Sequence, residues 1–336
     1  MDMNLLKETA AAMVVKGKGV LAADESTPTC TKRLDGVGVE STEENRRKYR
    51  EMLLTAPGIE NHISGVILFE ETLRQQAADG TPFPKVLMDR GIFPGIKVDK
   101  GTKDFPAFPG EKQTAGLDGL RERLAEYFEL GAKFAKWRAV IVIDTEKGLP
   151  TDTAIKTNAH ELAMYAAFSQ EAGLVPIVEP EILINGSHTI EQCEEVSTRT
   201  LKIVFEQLKM HKVMLEGMVL KPSMVISGQD CPTQATKEDV AAATIRSFKE
   251  AVPTEVPGIA FLSGGQTETQ ATENLNEINK QPDLPWNMTF SYGRALQESA
   301  LKKWGEDPDA NVAAAQAILL EKAGKNGAAT KGEYAG

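Results

Sequence analysis

Leu174-Val-Pro-Ile-Val-Glu179 is a short apolar run closed by a carboxylate, and the segments flanking it decide the fold. Before it, Thr153 to Glu171 carries apolar and charged residues at intervals of three and four, and Gly173 supplies a helix stop. After it, Ile190 to Met210 repeats the helical spacing and leads to a second apolar run, Val213 to Lys221. Runs of this length suit strands and are too short for buried helices. Working outward, the same kind of run recurs as Gly19-Val-Leu-Ala-Ala-Asp24, Gly65-Val-Ile-Leu-Phe69, Gly95-Ile-Lys-Val-Asp99, Phe134-Ala-Lys-Trp-Arg138, Gly258-Ile-Ala-Phe-Leu-Ser263 and Met288-Thr-Phe-Ser-Tyr292. With the first two these make eight.

Helical patterns lie between them. Thr42-Glu-Glu-Asn45 reads as a cap for a helix to Leu54, and Leu117 to Leu130, Lys237 to Glu250 and Thr267 to Ile278 keep the three-and-four spacing. Successive strand ends are roughly 30 to 45 residues apart, room for a strand, a loop and a crossover helix each time. Alternation of this kind implies a parallel sheet. Eight units in 336 residues predict an α/β fold, a (β/α)8 TIM barrel forming a single domain over residues 1–336. An N-terminal helix is expected over about 3–16, and a small, polar, glycine-rich, mobile tail from about Gly324. An open doubly wound sheet is the competing architecture. The absence of a G-x-G-x-x-G after any strand weakens it.

Composition narrows the function. The net charge of −10 argues against a nucleic-acid partner, which needs a basic surface to attract phosphate. No run approaches the length of a membrane span, and residues 1–12 lack the basic and apolar regions of a signal peptide. Cys30, Cys193 and Cys231 are odd in number and widely spaced, which suits a reducing, cytoplasmic setting. His62, His160, His188 and His211 show no metal-binding spacing, so neither a metal nor another cofactor is expected.

Barrels carry their chemistry at the C-terminal ends of strands, and charged residues crowd those positions here. Side chains alternate faces along a strand, so Lys136 and Arg138 share one face, as do Glu179 and Glu181, and Lys97 and Asp99. Asp24 ends the first strand and Lys221 the sixth. If these faces point inward, the charges must pair, because an unpaired buried charge is strongly unfavourable. The alternative is a solvated charged rim. Lys221 closes an apolar run, and Pro222 biases it toward extended backbone. Burial and a neighbouring cation such as Lys136 would weaken its hold on a proton, which suits a Schiff-base nucleophile. A lysine snorkelling out of the strand end is the other reading.

Ser263-Gly-Gly265 follows the seventh strand, and Ser291-Tyr-Gly-Arg294 follows the eighth and opens a helix. Glycines permit close backbone approach, N–H groups at a helix start attract anions, and an arginine clamps phosphate. Barrels commonly hold phosphate after strands 7 and 8. Either glycine pair alone could equally be an ordinary turn.

Leu21-Ala-Ala-Asp-Glu-Ser-Thr27, Thr42-Glu-Glu-Asn-Arg-Arg47, Gly95-Ile-Lys-Val-Asp-Lys-Gly101, Phe134-Ala-Lys-Trp-Arg138, Val175-Pro-Ile-Val-Glu-Pro-Glu-Ile-Leu183, Leu215-Glu-Gly-Met-Val-Leu-Lys-Pro222, Phe261-Leu-Ser-Gly-Gly-Gln266 and Thr289-Phe-Ser-Tyr-Gly-Arg-Ala-Leu-Gln297 occur in the order seen in class I fructose-1,6-bisphosphate aldolases. The chain resembles that family from about residue 15 to 305. The resemblance implies metal-independent retro-aldol cleavage of fructose 1,6-bisphosphate to dihydroxyacetone phosphate and glyceraldehyde 3-phosphate. It implies that Lys221 forms the imine, with Glu179 as general acid/base, a carboxyl expected near neutral pH. Asp24 would assist deprotonation of the C4 hydroxyl and Lys136 would supply positive charge, with Arg138 and Glu181 keeping these groups in register. Ser263, Gly264, Gly265, Ser291, Gly293 and Arg294 would hold the C1 phosphate. Ser26, Thr29, Arg33 and Lys97 would lie toward the other phosphate. A homotetramer is implied as well.

The chain departs from the family's pattern at Pro28 and Thr29, which stand where glycine and serine are usual; proline fixes φ and removes an N–H, so a reshaped phosphate loop is expected. It also ends at Glu333-Tyr-Ala-Gly336, and Tyr334 matches an early point of the family's tail rather than its terminal tyrosine. Rival functions are an imine-forming aldolase for another ketose bisphosphate, a transaldolase-type transfer, and a non-catalytic barrel scaffold.

Overall fold

The computed structural model describes residues 2–336. Eight parallel strands close into a barrel: β1 (Gly19–Ala23), β2 (Ile63–Leu68), β3 (Phe93–Lys97), β4 (Phe134–Ile141), β5 (Val175–Ile182), β6 (Val219–Leu220), β7 (Gly258–Phe261) and β8 (Asn287–Tyr292). Each strand pairs with its sequence neighbours, and β8 returns to β1 through Val20↔Ser291 and Leu21↔Tyr292. The helices are α1 (Met3–Met13), α2 (Thr27–Asp35), α3 (Glu43–Leu54), α4 (Glu70–Arg74), α5 (Phe83–Met88) and α6 (Leu120–Glu129), then α7 (Asp152–Glu171), α8 (Ile190–Met210), α9 (Lys237–Ala251), α10 (Glu268–Asn279), α11 (Arg294–Glu306) and α12 (Val312–Ala329).

Strand alternation sorts the core into two layers. Leu21, Ala135, Trp137, Val178 and Leu220 face outward and pack with the helices. Val20, Ala22, Phe134, Val175, Ile177 and Val219 face inward, where they meet Leu6, Ala10, Met13 and Val14 of the α1 segment. The α1 helix thus plugs the end of the barrel at which the strands begin, and the Ser64 hydroxyl donates to Met13 O at 2.6 Å to hold it there. Phe134 fills the space that Gly95 leaves open: a Cβ at Gly95 would lie 2.2 Å from the ring.

Four differences from the sequence reading have physical causes. The sixth run does not extend from Val213. Leu215–Gly217 forms a single 3-10 turn beneath α1, held by the Gln170 side-chain amide donating to Met214 O at 2.8 Å, so β6 starts at Val219. The N-terminal helix, expected to about residue 16, stops at Met13, with Val14 as its C-cap. The segment around Pro28 is not a loop but the first turn of α2, where proline's missing N–H goes unneeded. The tail expected from Gly324 continues helix α12 to Ala329; Asn326, Gly327, Ala329 and Thr330 are buried, and Tyr334 N donates to Asn276 Oδ1 at 2.9 Å. Small residues here allow close packing: a Cβ on Gly327 would fall 2.6 Å from Gly17 O.

A hairpin after β3, Thr102–Asp104 against Lys112–Thr114, was not foreseen. Three side chains dock it on α7: Glu111 accepts from Thr151 N (2.8 Å) and Oγ1 (2.6 Å), Asn158 donates to Lys112 O (2.8 Å), and Glu161 accepts from Thr114 N (3.2 Å). Burial pushes the Glu161 carboxyl up to about 7, against the small opposing effect of the Thr114 N–H.

Two predictions follow from this packing. Gly95→Ala overpacks the barrel floor and is expected to cost about 1–3 kcal/mol, read as a lower urea midpoint with unchanged slope. The raised Glu161 value means the folded state holds a proton that the unfolded chain releases. Its contribution to stability is therefore full below about pH 4.5 and lost as pH rises through about 7. Glu161→Gln should flatten the pH dependence of the urea midpoint across that window and raise the midpoint at pH 8.

Candidate active site

Each charged group at the barrel mouth lies two residues beyond an inward-facing apolar one. Asp24 follows Ala22, Lys136 follows Phe134, Glu179 follows Ile177, and Lys221 follows Val219. Period-two alternation therefore aims all four into the lumen, above the apolar floor. The register reinforces this, since Arg138 pairs with Glu179 and Val178 with Leu220 along adjacent strands. Lys221 N still donates to Val178 O at 2.8 Å, so the ladder continues through the residue that Pro222 keeps extended.

The four side chains form a chain of alternating charge. Lys136 Nζ lies 2.7 Å from Asp24 Oδ2 and 3.3 Å from Glu179 Oε2, and Lys221 Nζ lies 3.3 Å from Glu179 Oε1. Glu179 thus bridges two lysines. Lys136, Glu179 and Lys221 are each at least 96% buried, so the charges pair inside the barrel rather than forming a solvated rim. Arg138 and Glu181 form a second ion pair beside this chain, and Lys97 lies 3.5 Å from Asp99, which also accepts from Arg138 N at 3.4 Å.

Burial alone would raise the Asp24 carboxyl, but Lys136, Lys221 and Lys97 overcome it and hold the group well below the usual carboxylate range. Glu179 behaves likewise: burial raises it, and Lys136, Lys221 and Arg138 bring it below its ordinary value. The carboxyl expected near neutral pH is instead firmly ionised in the resting site, because three cations surround it. Burial would lower Lys136, yet Asp24, Glu179 and Asp99 hold its ammonium well above the usual lysine value. Glu179 Oε2 makes no hydrogen bond of good geometry. A buried acceptor in that state is ready for a substrate hydroxyl or a water.

The groups read as phosphate contacts sit at the same end of the barrel in two sets. Ser263, Gly264 and Gly265 follow β7, with both glycines at positive φ (46° and 85°). Ser291, the penultimate residue of β8, has its hydroxyl buried and unpartnered, Gly293 caps α11, and Arg294 heads that helix, exposed. Of the other set, Ser26 and Thr29 stand at the start of α2 with their hydroxyls 3.3 Å apart, Arg33 in its last turn and Lys97 at the end of β3. Arg33 is not free there; it contacts Glu25, which also meets Arg50. The sequence reading missed Glu25, Arg50 and the part played by Asp99. The acidic pair Asp24-Glu25 after a buried strand was the available signal for the first. Among the described residues, no group of three or more His, Cys, Asp or Glu side chains is arranged to hold a metal, and no helix is long and apolar enough to cross a membrane.

The sequence pattern of the family Fructose-bisphosphate aldolase class-I matches residues 5–336. The chain belongs to the class I fructose-bisphosphate aldolase family. It is 55% identical to the "Probable fructose-bisphosphate aldolase class 1" of Xanthomonas campestris pv. campestris over all of both chains. It is 54% identical to "Fructose-bisphosphate aldolase 1" of Toxoplasma gondii, over 98% of this chain and 91% of that one. A solved structure of the Plasmodium falciparum fructose-bisphosphate aldolase, in complex with TRAP and a small-molecule inhibitor, superposes with a TM-score of 0.97 at 50% identity, covering 99% of this chain and 96% of that one. The enzyme is therefore a carbon–carbon lyase that cleaves fructose 1,6-bisphosphate to dihydroxyacetone phosphate and glyceraldehyde 3-phosphate, reversibly.

Lys136 is the cation shared by both carboxylates, so Lys136→Met should cost about 3–5 kcal/mol at pH 7, the usual result of stranding a buried charge. Asp24 and Glu179 sit below their ordinary 3.8 and 4.5, so their contribution to stability is present above those values and lost as pH falls through the lower folded-state ones. In Lys136→Met the carboxyls should rise, so acidification costs the fold less, and the deficit in urea midpoint against the parent should shrink as pH falls from 7 toward about 4.

Proposed function

We propose that cleavage proceeds through an imine on Lys221, with Glu179 as the proton carrier for that imine. The observation that supports this most directly is the 3.3 Å separation between the Lys221 amine and Glu179 Oε1, with both groups buried. An ammonium cannot attack a carbonyl. Glu179, held as a carboxylate, is the acceptor within reach of the proton that Lys221 must lose. The free amine then forms a bond to the C2 carbonyl carbon of the sugar, giving a carbinolamine.

Forming that neutral carbinolamine removes one of the three cations around Glu179, which raises its affinity for the proton just acquired. The protonated carboxyl is then the acid that donates to the departing hydroxyl as water leaves. The resulting iminium draws the electron pair of the C3–C4 bond as that bond breaks. Asp24, kept ionised by its lysine neighbours, takes the C4 hydroxyl proton and the aldehyde is released. Lys136, between the two carboxylates and held charged, stabilises negative charge developing on substrate oxygens. Arg138 and Glu181 hold the strand ends on which these groups stand.

The C1 phosphate is assigned to Ser263, Gly264, Gly265, Ser291, Gly293 and Arg294, supported by the unpartnered Ser291 hydroxyl and the N-terminus of α11. The other phosphate is assigned to Ser26, Thr29, Arg33 and Lys97, supported by the place of Ser26 and Thr29 at the start of α2, of Arg33 in its last turn and of Lys97 at the end of β3. A cytoplasmic setting is supported by three free, buried cysteines. The family resemblance supports a homotetramer.

Adding dihydroxyacetone phosphate and then borohydride should fix a covalent adduct, located by peptide mass spectrometry on Lys221. Lys221→Met should abolish cleavage and adduct together while leaving the circular dichroism spectrum unchanged. An adduct on another lysine, or preserved turnover in this variant, would overturn the assignment.

A further inference from the structure

Glu25 lies next to Asp24 but outside the lysine–carboxylate chain. Its side chain is 5% exposed and faces two arginines of different character. Arg50, from α3, is 3% exposed; its Nη1 lies 2.7 Å from Glu25 Oε2 and its Nη2 donates to Glu25 O at 3.3 Å. Its guanidinium also covers the Tyr49 ring at 5.4 Å. Tyr49 in turn donates to Gln297 at 2.8 Å, and Gln297 to Ala22 O at 2.6 Å. Arg50 is therefore walled in by α3, α11 and β1. Arg33, from the last turn of α2, meets Glu25 Oε1 from the solvent side and is 26% exposed.

One buried carboxylate needs one cation, and this one has two. If Arg33 swings away, Glu25 and Arg50 remain as a neutral pair. Without Arg50, departure of Arg33 would leave Glu25 buried and uncompensated, so Arg33 would be retained.

We propose that Arg50 is a positioning residue that neutralises Glu25 so that Arg33 can exchange this carboxylate for a substrate phosphate. Arg33 then trades one anion for another, with no covalent change. The proposal rests on the assignment of Arg33 to the phosphate far from the imine.

The test compares fructose 1,6-bisphosphate with fructose 1-phosphate, which lacks that phosphate. Arg50→Met should raise KM for the bisphosphate by about tenfold or more while kcat stays within about twofold and fructose 1-phosphate kinetics do not move. Arg50→Lys, which keeps the charge, should stay within about threefold of the parent KM. The charge-balanced double variant Glu25→Gln/Arg50→Met removes the retaining carboxylate and should bring KM back to within about threefold. An unchanged KM in Arg50→Met, an equal loss on both substrates, or a double variant no better than the single one overturns the proposal. If Arg50→Met does not fold, the double variant decides alone: KM near the parent supports the exchange, and a rise of about tenfold refutes it. Two controls separate failure of the underlying reading. Arg33→Gln with an unmoved bisphosphate KM would remove the phosphate assignment, and absence of a borohydride adduct in the parent enzyme would remove the imine.

Discussion

Charge neutrality inside the barrel mouth is the constraint on which the rest of the structure depends. Asp24, Lys136, Glu179 and Lys221 alternate in sign, the last three almost entirely enclosed, so neither inner member, Lys136 or Glu179, can be removed without stranding a neighbour. Such an arrangement is poor value as a source of stability, since apolar residues would fill the same space at less risk. In the proposed mechanism its use is chemical. Two carboxylates are kept ionised and one ammonium is kept charged at a depth where water cannot do either task.

The floor beneath this site makes the charges affordable in structural terms. Ala22, Phe134, Ile177 and Val219 top an apolar base, and the next inward position on each of these four strands carries a charged residue of the candidate site. One alternation rule therefore places both the packing and the reacting groups. A slip of one residue in any strand would turn its charged side chain toward the helices.

Much of this was legible in the sequence, for reasons that particular residues make plain. The Lys136/Arg138 and Glu179/Glu181 pairs could be assigned to shared faces because strand periodicity needs no tertiary information. Thr42 announces α3 because its hydroxyl caps Asn45 N, a contact decided within four residues. What escaped was non-local. The 3-10 turn at Leu215–Gly217 exists because Gln170 and α1 hold it, and the final turns of α12 exist because Gly327 fits against Gly17. The Glu25–Arg50 pair joins residues 25 positions apart, and no local pattern marks them as partners. The ionisation of Glu179 escaped in the same way, since cations from two other strand ends, Lys136 and Arg138 on one and Lys221 on the other, had to converge before its sign could be read.

The α1 plug has a further consequence for traffic. With one end of the cylinder stoppered by Leu6, Ala10, Met13 and Val14, the reaction chamber is a blind well with a single doorway. Incoming sugar and both outgoing fragments share that doorway, so arrivals and departures must queue. In the proposed imine mechanism, the fragment bound through nitrogen is the second to go.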